Sequence, residues 1–327
     1  MKRFIISTLV CVAPLVSITP LAAQKSSETS TTSVDINGHR IPEGPQVSQT
    51  SSDGKTQTTE TMQSINGRMV PLERVEERVV RQDSSGRVVE RVVRRYDPQG
   101  NPTPAIKQTI VEQKLADGGS SVSTSTFRGD INGGMQLIEK SMTESRKSDS
   151  TETSKTVIQR PGVNGGLEAA EKIEEVKVKR PNGYESESTT YRNDGNGGFY
   201  TAVRRTDEHT QQGEQSTDNT AEYEKGPTGS LELHSQSVTN TVTRADGSQD
   251  TTVDIFGRNV PGTVDGANAR LQLSERQHIE KAPGPNQTVV QTLSVQRPSV
   301  SDPGRLGAER QISQTVCKGD CNKEKKE

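Results

Sequence analysis

The sequence predicts an all-β fold: an elongated antiparallel meander of tandem β-hairpin repeats, built as one twisted or curled sheet with a trough or a spiral as its shape. Three observations predict it. Glycine recurs at Gly38, Gly67, Gly100, Gly133, Gly165, Gly197, Gly229 and Gly257, a tandem array with a period of about 32 residues. A second set, Gly54, Gly86, Gly118, Gly183, Gly213 and Gly247, is interleaved with the first, so each unit carries two turns. Between the turns, runs such as Ser121–Phe127 and Tyr184–Tyr191 are rich in Thr, Ser and Val, whose branched side chains suit a pleated surface.

The elements follow in order along the chain. Residues 1–23 read as an export signal: Lys2 and Arg3, then a mostly apolar stretch from Phe4 to Ile18, then Leu21-Ala22-Ala23 before Gln24. The stretch is too short and wrongly flanked for a stable helical span. Residues 24–33, all polar, read as a flexible tether. The hairpin array occupies 34–244. Asn-Gly pairs between strand-like runs are strong hairpin signals, because a type I′ turn needs positive φ at both central residues. Leu72–Val80 and Leu167–Ile173 have helix-like composition. Their counterparts, Phe199–Val203 and Leu231–Ser235, look like strands, and equivalent copies share one structure, so strand is expected throughout. After Gly257 the spacing loosens, and Arg297-Pro298 and Asp302-Pro303-Gly304 interrupt it. Residues 245–321 therefore read as a divergent C-terminal cap, and 322–327 as a charged tail.

Tyr96-Asp97-Pro98-Gln99-Gly100-Asn101 resembles one copy of the YD-type hairpin repeats of large secreted β-shell proteins. The likeness covers six residues and implies hairpin-repeat architecture alone.

Composition narrows the function classes. Formal net charge is −2 with both signs interspersed, and losing the signal removes two basic residues and no acidic one. That balance argues against a nucleic-acid or anionic-membrane binder. Only 27% of residues are hydrophobic and Trp is absent, so a thick core is not expected; long Lys, Arg and Glu stems would cover the sheet instead. An outer-membrane barrel needs an outward apolar band, and a run such as Thr151–Thr156 does not supply one. The expectation is therefore no membrane span once the signal is cleaved.

Five of the eight aromatics outside the signal, Tyr96, Phe127, Tyr191, Tyr223 and Phe256, fall near one repeat position. They predict a cross-strand ladder on one face, a packing seam first and a sugar-stacking platform second. Cys317 and Cys321 predict a short-loop disulfide after export. The four histidines, His39, His209, His234 and His278, form no metal-binding pair, and no nucleophile elbow, phosphate loop or metalloprotease motif occurs. Asp130-x-Asn132-Gly133 and Asp194-Gly195-Asn196-Gly197 offer oxygen-rich turns to calcium, but one turn supplies too few ligands, so no cofactor is expected. The chain thus reads as an exported, non-enzymatic β-repeat scaffold of the periplasm, cell surface or matrix. Its alternatives are a module binding polysaccharide or another envelope polymer, and a fibre subunit pairing with itself through open sheet edges.

Overall fold

The computed structural model describes residues 25–35, 37–130, 133–226, 229–258, 271–299 and 305–319. The signal and the charged tail lie outside them.

One antiparallel sheet holds every described strand. The strands are β1 (Lys25–Val34), β2 (Arg40–Pro42), β3 (Gln46–Ser52), β4 (Thr56–Ile65), β5 (Arg68–Asp83), β6 (Gly86–Arg95), β7 (Ile106–Lys114), β8 (Ser120–Gly129), β9 (Met135–Lys147) and β10 (Thr151–Pro161). They continue as β11 (Leu167–Arg180), β12 (Gly183–Asn193), β13 (Phe199–Gln212), β14 (Gln215–Lys225), β15 (Leu231–Thr243), β16 (Gln249–Gly257), β17 (Gln272–Pro283), β18 (Thr288–Gln296) and β19 (Arg310–Gly319). From β3 onward each pairs with its successor, so the expected meander is present. The helix-like segments at 72–80 and 167–173 are strand, held by pairing on both sides.

The meander does not stay open. β1 pairs with β19 from Ser27↔Gly319 to Ser33↔Ser313, and on its other side with β3 from Lys25↔Thr50 to Thr29↔Gln46. β2 and β3 both lie against β1 and share one stave, so the wall is an 18-strand closed barrel. This corrects the trough or spiral. It also corrects the tether: residues 25–33 form the strand that closes the barrel. Polar Ser and Thr serve here because closure pairs their backbone on both edges, and unpaired edges are what an open sheet must otherwise protect. The 245–321 segment continues the same wall through β16–β19.

The two glycine sets mark the two rims. At one rim the turns are short, such as Ser84-Ser85, Pro181-Asn182 and Gly213-Glu214. The other rim carries the longer connections, including 96–105 and 297–309. β1 starts and β19 ends at the short-turn rim. Most glycine turns are not the type I′ pair. At Asp97–Asn101 the Asp97 N–H donates to the Asn101 carbonyl at 2.9 Å and the Gly100 N–H to the Asp97 carbonyl at 2.8 Å. Gly100 has φ +86°, the left-handed residue that closes a three-residue hairpin loop. Among the described residues only Asn66-Gly67, with φ 51° and 78°, has the expected pair of positive angles.

Bulges recur below the long-loop rim, at Thr61/Met62, Thr126/Phe127, Ile158/Gln159, Thr190/Tyr191, Glu222/Tyr223, Ile255/Phe256 and Leu293/Ser294. Each bends its strand and raises local twist, the device by which a sheet curls into a barrel.

Candidate functional site: the two faces of the barrel wall

Residues opposite one another in an antiparallel ladder share a face. Following the register around the barrel therefore divides the wall into two sets, and they meet consistently at the seam. One set holds the buried positions Val89, Thr143, Ile158 and Val295; the other holds the exposed Met69, Met135, Met142, Leu167 and Val176. Curvature crowds side chains on the concave side and splays them on the convex side, so the first set faces the lumen and the second faces out.

The lumen face has two arcs. On β15, β16, β19, β1, β3 and β4 it is mostly Ser, Thr, Gln and Val. Hydroxyl pairs join neighbouring strands there: Thr31–Thr315 at 3.3 Å, Thr50–Thr59 at 3.1 Å and Thr241–Thr251 at 3.1 Å. On β5–β14 it combines an apolar band, Val75, Val89, Val93, Ile106, Ile110 and Ile158, with paired charges. Inter-strand pairs recur toward the long-loop rim: Glu73–Arg95 at 3.0 Å, Glu139–Arg160 at 3.0 Å and Glu171–Arg192 at 3.5 Å, with Glu275–Arg297 at 2.8 Å beyond that arc. Nearer the short-turn rim, Tyr184 stacks on His209 with centroids 5.2 Å apart, Lys177 Nζ lies 3.7 Å from the Tyr184 centroid, and His209 Nδ1 is 2.7 Å from Asp218 Oδ1.

The outer face is apolar only near the long-loop rim. A first row holds Met69, Met135, Leu167, Phe199 and Leu231, each at the start of a descending strand. A second row, one side-chain repeat below, pairs Met62 with Pro71, Phe127 with Leu137, Tyr223 with Leu233 and Phe256 with Leu273 across the bulges. Together they form an apolar collar on β4–β5 and β8–β17. Its rows are about 7 Å apart at two strand residues. Cations lie over its rings: Lys172 Nζ is 3.9 Å from the Phe199 centroid, and Arg204 Cζ is 4.6 Å from that of Tyr223. Below the collar the outer wall mixes Val and Thr with charge, as in an open depression lined by Val176, Val178, Glu174, Glu187 and Glu208.

The predicted aromatic set is thus partly brought together. Phe127, Tyr191, Tyr223 and Phe256 share one face and one level, but they sit on β8, β12, β14 and β16, with three strands between the first two and one between each later pair. No ring stacks on another within the set among the described residues; Tyr184–His209 is the stacked pair. Tyr96 stands just past β6, where its N–H donates to the Leu72 carbonyl at 2.9 Å and it bridges to Pro102. The leucines that complete the collar carried no signal of their own, although each follows a rim turn by a few residues. Cys317, on β19 beside the seam, is disulfide-bonded; Cys321 lies outside the described residues. Among the described residues no cluster of His, Cys, Asp and Glu is fit to hold a metal ion. The oxygen-rich turns spend their carboxylates on backbone: Asp130 accepts from Gly134 N–H at 2.8 Å, and Asp194 from Asn196 at 2.8 Å and Gly198 at 3.0 Å.

No protein-family model matches the chain. No curated protein matches it either. Solved structures do resemble it in fold. The Pseudomonas aeruginosa protein OpdL is similar with a TM-score of 0.54 at 8% identity, over 90% of this chain and 97% of that one. P. aeruginosa OccK5 (OpdH) is similar at 0.54 and 9%, over 90% and 97%. The outer membrane protein opdK of the same organism is similar at 0.52 and 10%, over 91% and 98%.

These findings overturn several expectations. The scaffold and fibre readings rested on an open sheet with free edges, and closure removes the edges. The polysaccharide platform rested on a contiguous aromatic ladder, and the rings stand on alternate staves. The absence of a membrane span rested on helices and on whole runs of sequence; the fold is one shared with an outer membrane protein. No described helix is long and apolar enough to cross a membrane, which bears on helices only.

Proposed function

We propose that the chain is an exported, non-enzymatic β-barrel of the outer membrane whose water-filled lumen is a passive path for polar solutes. The closed register of β1 with β19 and β3 carries this reading. Short turns at the rim holding both wall ends, and longer connections at the other, match the layout of outer-membrane barrels. The lumen face carries hydroxyls, amides and paired charges beside an apolar band on β5–β10, and its polar arc hydrates readily. The export signal at 1–23 supports delivery to the envelope.

The test is entry of a small hydrophilic chromogenic substrate into a bacterial host of low outer-membrane permeability. Cells carrying the folded protein in their outer-membrane fraction take it up faster than cells carrying a variant lacking residues 25–34. Equal uptake, with the full-length barrel folded in that fraction, would refute the conduit.

A further inference from the structure

We infer that the disulfide of Cys317 is a redox clasp on the seam of the barrel: closed with Cys321, it holds the end of β19 against the start of β1, and a dithiol reductant releases it. Of the reading above it needs only export to an oxidising envelope. Elsewhere in the wall a connection at one rim or the other joins each stave to the next. β19 and β1 are the exception, because they are the two ends of the described wall and meet by pairing alone. β1 brings little else to that contact: Lys25–Val34 carries one apolar side chain, Val34, at its far end. At the short-turn rim the seam rests on Ser27↔Gly319, Glu28↔Lys318 and Thr29↔Cys317, and strand ends that no turn holds are the first to open.

Three features gather on these pairs. Cys317 is disulfide-bonded, and its register between Thr29 and Val289 turns its side chain to the lumen. Gly319 has φ +96°, so the chain leaves the strand direction there, in a conformation that favours glycine. It does so hard against β1: a Cβ at 319 would lie 2.5 Å from the Ser26 carbonyl oxygen. Of the other cysteines, Cys11 leaves with the signal and Cys321 stands four residues on. A ring from 317 to 321 therefore has Gly319 at its centre and restricts the positions open to these residues whenever the seam parts. Release follows thiol–disulfide exchange. A thiolate of the reductant attacks one sulfur and forms a mixed disulfide; the expelled sulfur leaves as a thiolate and takes a proton. The second thiol of the reductant then closes its own disulfide and frees the other cysteine. Two electrons and two protons pass to the protein, and a disulfide oxidant reverses the step.

The experiment uses the full mature chain folded in detergent micelles. Amide hydrogen exchange is read by mass spectrometry before and after complete reduction with dithiothreitol. Exchange over 25–31 and 314–319 is expected to speed about tenfold or more, while β10–β14 keep their rate. Cys317→Ser with Cys321→Ser is expected to show the fast rate with or without reductant. Gly319→Ala, with the bond intact, is expected to loosen the same segments, because the added Cβ must part residue 319 from Ser26. Circular dichroism confirms that each variant keeps its β content. Unchanged exchange at the seam after complete reduction, an even acceleration around the whole wall, or Cys317 bonded to a second chain would each overturn the clasp. A seam that loosens on reduction in a protein that admits no solute upholds the clasp and defeats the conduit. Solute entry with a seam indifferent to reduction does the reverse.

Discussion

The hydroxyls of Thr31 and Thr315 hydrogen-bond at 3.3 Å across 284 positions of sequence. This contact lies on the seam where β1 meets β19, and it is the most direct statement of closure. Cysteines placed at Thr31 and Thr315, with Cys317 and Cys321 changed to Ser, are expected to cross-link under mild oxidation, because directly opposed Cβ atoms lie about 4.5–5.5 Å apart. Non-reducing electrophoresis and mass spectrometry read the result. Free thiols in the folded protein would mean that the wall is open.

Glycines at the rims do different work, and alanine substitution separates them. At Gly133 a Cβ meets nothing within 4 Å, and φ is +81°. The cost is backbone strain alone, about 1 kcal/mol. At Gly86 the Cβ would lie 2.1 Å from the Glu112 carbonyl oxygen, and at Gly183 1.8 Å from that of His209. Neither strand can yield without breaking its ladder, so Gly86→Ala and Gly183→Ala should each cost about 2 kcal/mol or more. Denaturant midpoints rank the three.

Acid should loosen the turns before the wall. Backbone N–H groups hold the turn carboxyls below their ordinary values: Asn101 acts on Asp97, Thr56 on Asp53, and Gly119 on Asp117, with the Ser248 hydroxyl foremost on Asp246. A carboxyl depressed by folding adds stability above its unfolded pKa of about 3.9. That contribution is lost as pH falls through the depressed folded value. Stability measured from pH 6 down to 2 should therefore decline at the acid end, and Asp97→Asn with Asp117→Asn should flatten the decline. An unchanged slope would count against these bonds in solution.

The lumen ion pairs should contribute modestly. Arg160 and Glu139 meet at 3.0 Å with side chains 52% and 37% exposed, a setting in which pairs are worth about 0.2–1 kcal/mol. A double-mutant cycle with Arg160→Gln and Glu139→Gln should return a coupling in that range that shrinks at high salt. A larger, salt-insensitive coupling would show that the pair is shielded from water.

The sequence made the repeat, the turns and the strands legible, because Gly100, Gly133 and most of their counterparts adopt positive φ, while Gly86 is held to glycine by the Glu112 backbone beside it. Closure was not legible. It depends on pairing β1 with β19, and Lys25–Val34 has the Ser- and Thr-rich composition of a tether; nothing local marks which far strand it will meet. The outer surface was read without register. Thr151–Thr156 divides into Glu152, Ser154 and Thr156 toward the lumen and Thr151, Thr153 and Lys155 outward, so this part of the outer wall is polar, and the apolar positions lie nearer the long-loop rim. The aromatics carried a true positional signal: Phe127, Tyr191, Tyr223 and Phe256 share a level. Their spacing of one or two repeats places at least one whole strand between successive members, which turns an expected stack into separate points on a collar.

One repeat equals one hairpin, and that has a consequence for how such a wall can change size. Gaining or losing a unit adds or removes two staves at once. Both free ends then stay at the short-turn rim, and the alternation of lumen and outer residues survives in every other strand. The bore is therefore adjustable only in steps of a hairpin, with the diameter growing roughly in proportion to stave number. A half-unit change would carry one end to the opposite rim and leave the closing strands parallel.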